Sequence, residues 1–353
     1  MSSPENKIIG HRARAVILGC FGPVLGDAER HFFRDADPLG FILFTRNCIA
    51  PDQVRRLVAN LRDCVGRADA PVLIDQEGGR VARLGAPHWR AAPPAQRFAE
   101  IAQHDRDRAV EAARLNAHLI ASELLDLGIT VNCAPVLDVV QRDAHSIIGD
   151  RAFGVRPEIA ALLGWAVCEG LLDGGVMPVI KHIPGHGRAT SDSHETLPVV
   201  EAPRAELEAV DFAPFRALNY MPWAMTAHVV YRDIDPDEPA TTSAAVIAEA
   251  IRGTIGFDGV LLSDDIGMKA LEGDFARRAQ AALAAGCDVV LHCSGELPEM
   301  EKVAAATGLL SDAALGRLAR SAGKWRAPMA LNTAKALTRL DSLFDGGEVT
   351  RVG

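Results

Sequence analysis

The chain has 353 residues, 48% of them hydrophobic and 24% charged, which is enough apolar material for a sizeable core and excludes wholesale disorder. Thirty-seven Lys and Arg against 46 Asp and Glu leave a net charge of −9 at pH 7, and aromatics make up only 5%. That balance argues against a general nucleic-acid binder and leaves little material for base stacking. At roughly 150 residues per domain the length allows two domains, but α/β barrels commonly reach about 250 residues as one unit.

In chain order, short apolar runs predict strands at residues 15–19, 40–44, 72–74, 131–134, 176–180, 223–226, 260–262 and 288–291. Most are too continuous in apolar character for half-exposed antiparallel strands and fit strands buried on both faces. Helical stretches are predicted between them at 52–66, 106–128, 156–173, 203–218, 243–254 and 274–286, followed by 297–325 and 332–344. Eight strands alternating with helices give an α/β fold, a TIM-type (β/α)8 barrel with C-terminal helices, in preference to an open sheet. The expected organisation is a single catalytic barrel domain over 1–353, its core at about 10–330 and its tail at 345–353 frayed. Neither Gly-x-Gly-x-x-Gly nor Gly-x4-Gly-Lys-Ser/Thr occurs, so no nucleotide fingerprint is available and no cofactor is expected.

The first apolar run, from Ala15 to Phe21, follows Arg12 and Arg14 and is too short for a signal-peptide core. No run of about 18 apolar residues occurs, so no membrane span is expected. Seven cysteines (Cys20, Cys48, Cys64, Cys133, Cys168, Cys287 and Cys293) form no Cys-x-x-Cys pair and lie largely in apolar runs. Buried free thiols are expected rather than a disulfide framework, and the expected location is the cytoplasm.

In a parallel barrel, chemistry sits just past the C-terminal ends of the strands. Those positions here are Thr45-Arg46-Asn47, the run Asp75 to Arg80, Pro135 to Asp138, Lys181-His182, His228, Asp264-Asp265 and His292. Charged or imidazole groups at seven of eight strand ends would converge on one rim. The densest segment is Lys181-His-Ile-Pro-Gly-His-Gly187, running on to Asp192-Ser-His194. His182 and His186 have the spacing of a helical zinc pair, but Pro184 and Gly185 between them oppose a helix, so a shaped loop is expected and no metal. Asp192 and His194 are close enough for a bend to pair carboxylate with imidazole, fixing its tautomer; a solvated turn is the alternative.

Asp264 follows a buried strand at the barrel mouth, where a carboxylate acts as nucleophile, base or metal ligand, or as a turn residue; Asp265 reads equally as a helix N-cap. Asp75 and Arg83 flank a Gly-Gly turn and suit either vicinal hydroxyls or a structural ion pair.

These segments resemble glycoside hydrolase family 3, and within it the single-domain bacterial β-N-acetylglucosaminidases. The resemblance rests on Gly40-Phe-Ile-Leu-Phe-Thr-Arg-Asn47, Asp75-Gln-Glu-Gly-Gly-Arg-Val-Ala-Arg83, Ala134-Pro-Val-Leu-Asp138, Arg151-Ala-Phe-Gly154, the Lys181 to His194 segment and Ser263-Asp-Asp-Ile-Gly-Met268. They stand in the family's order over about residues 15–295. The resemblance implies a TIM-type barrel and a small carbohydrate substrate, terminal β-linked N-acetylglucosamine carried physiologically on muropeptides during cell-wall recycling. It also implies that Asp264 is the nucleophile forming a covalent glycosyl-enzyme and that His194, paired with Asp192, is the general acid/base. Asp75, Arg83, Arg151, Lys181 and His182 would hold the sugar. Ile183 stands where the family usually has Phe, and Gly267 where it has Ser or Asn. Rival readings are another glycosidase of the family such as a β-glucosidase, phosphorolysis at the same site, and a non-catalytic sugar-binding barrel. A β-glucosidase commonly takes its acid/base from an added second domain, which this chain is too short to hold.

Overall fold

The computed structural model describes residues 12–141, 146–189, 191 and 196–345. Eight parallel strands close into a barrel: β1 (Arg14–Leu18), β2 (Pro38–Leu43), β3 (Val72–Ile74), β6 (Val131–Asn132), β7 (Met177–Ile183), β9 (Trp223–Thr226), β11 (Val260–Asp265) and β12 (Val289–His292), which pairs back onto β1. Each expected strand is present. A hairpin of β4 (Gln76–Gly78) and β5 (Val81–Ala82) and a pair of β8 (Val199–Val200) with β10 (Val230–Tyr231) sit outside the barrel.

The period-2 alternation of a strand divides the apolar residues into two cores. Ala15, Ile17, Ile42, Leu73, Val131, Val179, Met225, Val260, Leu262, Val289 and Leu291 pack inside the barrel. Val16, Leu18, Phe41, Leu43, Val72, Ile74, Leu261 and Val290 face the surrounding helices. Continuing the inward parity by two residues puts Phe44, Asp75, Lys181, Asp264 and Cys293 in the uppermost layer, at the C-terminal mouth. The inward face therefore gains the charged groups of Asp75, Lys181 and Asp264 within one residue pair of its aliphatic layer, and this sets where the site lies.

The helices are α1 (Asp27–Ala36), α2 (Pro51–Val65), α3 (Ala95–Ala102), α4 (Arg106–Asp126), α5 (Pro157–Asp173), α6 (Arg204–Ala209), α7 (Ala213–Ala217), a π-helical segment Val246–Thr254, α8 (Phe275–Ala285), α9 (Leu297–Ala306), α10 (Asp312–Ala322) and α11 (Thr333–Phe344). The single helix expected over 203–218 is two, because Pro214 lacks an amide proton and its ring clashes with the carbonyl four residues back. The helix expected over 297–325 also divides. Between α9 and α10 the chain runs beside β1, with Ala15 N donating to Gly308 O and Leu310 N to Ala13 O, both at about 3 Å. Leu310, Ala314 and Leu318 then close the barrel floor, and Trp223 Nε1 donates to Ser321 Oγ at 2.7 Å.

Cys20, Cys133, Cys168 and Cys287 are buried, and burial pushes the Cys20 and Cys287 thiols up to about 12, so these are packing residues, as expected. Among the described residues no helix is long and apolar enough to cross a membrane.

Candidate active site

Five of the eight predicted site residues surround the barrel mouth with Asp264. Asp192 and His194 lie outside the described residues. Asp75, directly after β3, accepts from Lys181 Nζ at 2.7 Å and from Arg83 Nη2 at 3.1 Å. Burial alone would raise its pKa, but the two cations outweigh burial and hold the carboxyl below the ordinary range. The Asp75–Arg83 pair is therefore an ion pair within one loop. Arg83 reaches it because the β4–β5 hairpin folds back tightly. Gln76 Oε1 accepts the amide protons of Arg83 and Leu84 at 2.9 and 3.0 Å, and Gly78 has φ 104° with Pro93 O only 2.3 Å from where a Cβ would stand.

Lys181 Nζ also contacts Glu77 Oε1 at 2.7 Å, and Glu77 binds Arg151 in a fork, with Nε and Nη2 both at 2.8 Å. Glu77 is the residue that ties Arg151 into this network. The sequence shows it inside the same acidic segment, but nothing there separates its role from that of Asp75. Lys181 is buried; desolvation opposes its charge, yet Asp75 and Glu77 together raise its pKa above the ordinary lysine value. It is an ammonium at any working pH.

Two β-bulges shape the rim. Lys181 pairs with Met225 and Ile183 with Thr226, so β7 steps two residues against one, and His182 is turned off the regular pleat. Its Nδ1 lies 2.6 Å from Asp138 Oδ2, while Asp138 Oδ1 accepts the amides of His182 and His186 at 3.1 and 2.7 Å. Asp138 is fully buried; burial would raise its pKa, but His182 and His186 and these bonds bring it down to about 2. With Nδ1 committed to Asp138, the other ring nitrogen of His182 is the one available to a substrate. Asp138 was visible in the sequence only as an acid beyond a strand. It reaches His182 because residues 136–138 run on beside β7, with Leu137 N donating to Lys181 O at 2.7 Å.

His186 packs edge-on to His182 with centroids 5.7 Å apart, and burial, then His182, lowers its pKa to about 4. It is neutral near pH 7. Among the described residues no group of three or more His, Cys, Asp or Glu side chains converges to hold a metal ion.

Asp138→Asn should destabilise the fold by about 2 kcal/mol at neutral pH, since the carboxyl shifts from 3.8 to about 2 at roughly 1.36 kcal/mol per unit. A depressed carboxylate stabilises above its unfolded pKa and loses that contribution as pH falls through its folded value. Urea midpoints of the two proteins should accordingly converge between about pH 4 and pH 2. A gap independent of pH would show that Asp138 acts only as an uncharged acceptor.

The second bulge is at the end of β11, where Leu262 pairs with Val289 and Asp265 with Leu291. It separates the two adjacent acids. Asp265 Oδ1 accepts the amides of Gly267 and Cys293 at 3.0 and 3.1 Å, so this side chain fastens the turn to β12. It caps no helix: α8 begins at Phe275, with Asp274 as its cap. A Cβ at Gly267 would lie 3.1 Å from both Asp265 carboxyl oxygens, so glycine here leaves room for that fastening. Among the described residues Asp264 Oδ1 accepts only the adjacent Asp265 amide, at 2.8 Å. Burial would raise the Asp264 pKa, but His228, His182 and that amide outweigh it, and the carboxyl lies below its ordinary value. One acid is structural. The other is an ionised carboxylate within electrostatic reach of Lys181.

Residues 27–320 match the model of the glycosyl hydrolase family 3 N-terminal domain. The chain belongs to that family. A β-hexosaminidase of Alkalilimnicola ehrlichii is 42% identical over 287 residues, 79% of this chain and 80% of the relative. One of Xanthomonas axonopodis pv. citri is 38% identical over 93% of this chain and 98% of the relative. Among solved structures, NagZ from Neisseria gonorrhoeae in complex with N-trifluoroacetyl-D-glucosamine superposes with a TM-score of 0.84 at 30% identity, over 94% of this chain and 98% of that one. A family 3 β-N-acetylglucosaminidase from Paenibacillus gives 0.81, also at 30% identity, and there this chain spans 68% of a longer protein.

Proposed function

We propose that this family 3 chain is a retaining, exo-acting β-N-acetylglucosaminidase that releases terminal N-acetylglucosamine through a glycosyl-enzyme on Asp264, with His194, oriented by Asp192, as general acid/base. The observation that carries the reading is the division of labour between the adjacent acids: Asp265 is consumed by the turn, and Asp264 is ionised and aimed into the mouth. A carboxylate in that position attacks the anomeric carbon as the glycosidic bond breaks, and the departing oxygen takes the proton of the acid/base. Water then enters, gives its proton to the same base and releases the sugar with its configuration retained. Ordinary retaining enzymes hold a second carboxyl about 5–5.5 Å away for the proton work. An imidazole in that role carries the proton without adding a second negative charge beside Asp264.

Asp75, Arg83, Lys181, Arg151 and His182 are assigned to the sugar. Asp75 and Lys181 offer an acceptor and a donor side by side, which fits neighbouring hydroxyls, and His182 presents its remaining ring nitrogen. Arg151, forked to Glu77 and largely buried, acts chiefly by holding that wall in place. The likeness to β-hexosaminidases supports an N-acetylglucosaminyl substrate; a muropeptide, met in the cytoplasm during cell-wall recycling, is the physiological form that this reading favours.

A panel of nitrophenyl glycosides tests the assignment. The β-N-acetylglucosaminide should be cleaved in preference to the β-glucoside and β-xyloside, with the β-anomer of the free sugar appearing first by NMR. Preference for the β-glucoside would replace the substrate, and an α-anomer appearing first would replace the mechanism.

Lys181→Ala should lower kcat and raise KM together, because hydroxyl contacts strengthen as the ring flattens toward the transition state. Arg83→Ala should follow the same pattern more weakly, since Asp75 keeps Lys181. Wild-type kcat/KM in both variants would make the pair purely structural.

A further inference from the structure

Beneath Asp264 lies a set of fully buried polar side chains outside the sugar-binding wall: Thr226, His228 and Thr241. His228 Nε2 is 2.9 Å from the backbone carbonyl of Asp265, an oxygen that can only accept, so this nitrogen carries the proton. His228 Nδ1 is 2.7 Å from Thr241 Oγ1, which is in turn 2.7 Å from Thr226 Oγ1. Thr226 Oγ1 accepts the amide proton of Asp264 at 3.4 Å. With one proton per hydroxyl and one on the ring, a single direction satisfies all four links. The Asp264 amide donates to Thr226, Thr226 to Thr241, Thr241 to His228 Nδ1, and His228 Nε2 to the Asp265 carbonyl.

We propose that this closed circuit, running from the amide of Asp264 to the carbonyl of Asp265, makes His228 and Thr241 positioning residues for the nucleophile, holding the two-residue bulge that aims its carboxylate. The circuit grips the backbone on both sides of the Asp264–Asp265 peptide and leaves the attacking oxygens untouched. It comes from the strand next to β11 and from the segment after β10, so it fixes the bulge relative to the barrel and not merely within its own turn. Met268 N donates to the same Asp265 carbonyl at 3.1 Å, so removing the imidazole leaves that oxygen paired and the fold has reason to survive. Ala227 O, 3.1 Å from Thr241 Oγ1, is the competing acceptor; a proton sent there would require both His228 nitrogens to donate and the ring to be an imidazolium.

The proposal rests on the Asp264 reading above, and its test separates the two. Glutamine places an amide nitrogen near the position of Nε2, whereas asparagine reaches only as far as Nδ1. His228→Asn should lose kcat by about 10²-fold on the nitrophenyl β-N-acetylglucosaminide, the cost of displacing a reacting group by around 1 Å, with KM held within about twofold. His228→Gln should recover most of that loss. Thr241→Val, which removes the bond to Nδ1, should fall between them, and it carries the test if His228→Asn does not fold. In the wild type, 15N NMR should show His228 as the neutral Nε2–H tautomer near pH 7. Equal losses in the Asn and Gln variants, a loss confined to KM, wild-type kcat in Thr241→Val, or an imidazolium at His228 would each overturn the circuit. Failure of the Asp264 reading instead shows in the wild-type enzyme, as an absence of turnover or of an adduct on Asp264.

Discussion

Asp264→Ala and Asp264→Asn should each reduce turnover by on the order of 10⁴-fold or more while the protein keeps its fold. The reason is local. Among the described residues Asp264 Oδ1 accepts a single bond, from the next residue's amide, whereas Asp138 and Asp75 tie separate segments of the barrel together. Neither amide nor methyl can both attack the anomeric carbon and leave again. With an activated leaving group and added azide, Asp264→Ala should regain rate, because the small anion enters the vacated space and gives the α-glycosyl azide. Circular dichroism should be unchanged. Asp265→Asn should behave differently: it weakens the Gly267 and Cys293 contacts and loses stability together with activity, and azide should not restore it. Rescue of the Asp265 variant but not the Asp264 variant would exchange their roles.

The second large effect is expected at His194, and its size should depend on the leaving group. General acid/base catalysis contributes about 10²–10⁴-fold, roughly 3–5 kcal/mol. With a sugar aglycone, His194→Ala should lose close to that whole range, since a departing alkoxide must be protonated. With a dinitrophenyl aglycone, glycosylation should be largely spared and the glycosyl-enzyme should accumulate, visible as a burst, because the water in the second step still lacks its base. Asp192→Ala should show a weaker version, because it removes orientation but leaves the imidazole. His182→Ala and His186→Ala should show no such dependence on leaving group. The structure assigns His182 to Asp138, and His186 is buried with a pKa near 4. A loss for His194→Ala that is uniform across leaving groups would assign it to binding and require another proton donor.

All eight barrel strands were legible because most carry a continuous apolar run, a consequence of burial on both faces; β6, Val131–Asn132, is the exception. Helix α1 was not, since Asp27–Ala36 buries little beyond Glu29, Phe33 and Ala36 and offers no apolar run to read. The breaks at Pro214 and around Gly308 were visible as residues but not as breaks: a proline also fits the first turn of a helix, where Pro214 in fact sits, and the other break is fixed by the chain crossing beside β1. The candidate site was legible where a charged group stands at a strand end, as at Asp75, Lys181 and Asp264. It was not legible where a residue works through another. Glu77 matters through Arg151 and Lys181, Asp138 through His182, and Thr241 through His228, over separations that no spacing rule spans. The ambiguity between Asp264 and Asp265 was of the same kind. At the end of β11 the register shift separates the two, and the Asp265 carboxylate is the one bonded into the turn.

A covalent sugar on Asp264 should be open to trapping. An activated fluorinated N-acetylglucosaminyl donor, whose fluorine slows hydrolysis of the adduct more than its formation, should inactivate the wild-type enzyme with a mass increase of one glycosyl unit. Peptide mapping should place that unit on the segment Ser263-Asp-Asp-Ile-Gly-Met268, with fragment ions locating it on Asp264. An adduct on Asp265, or turnover without any adduct and with an inverted product, would contradict the account.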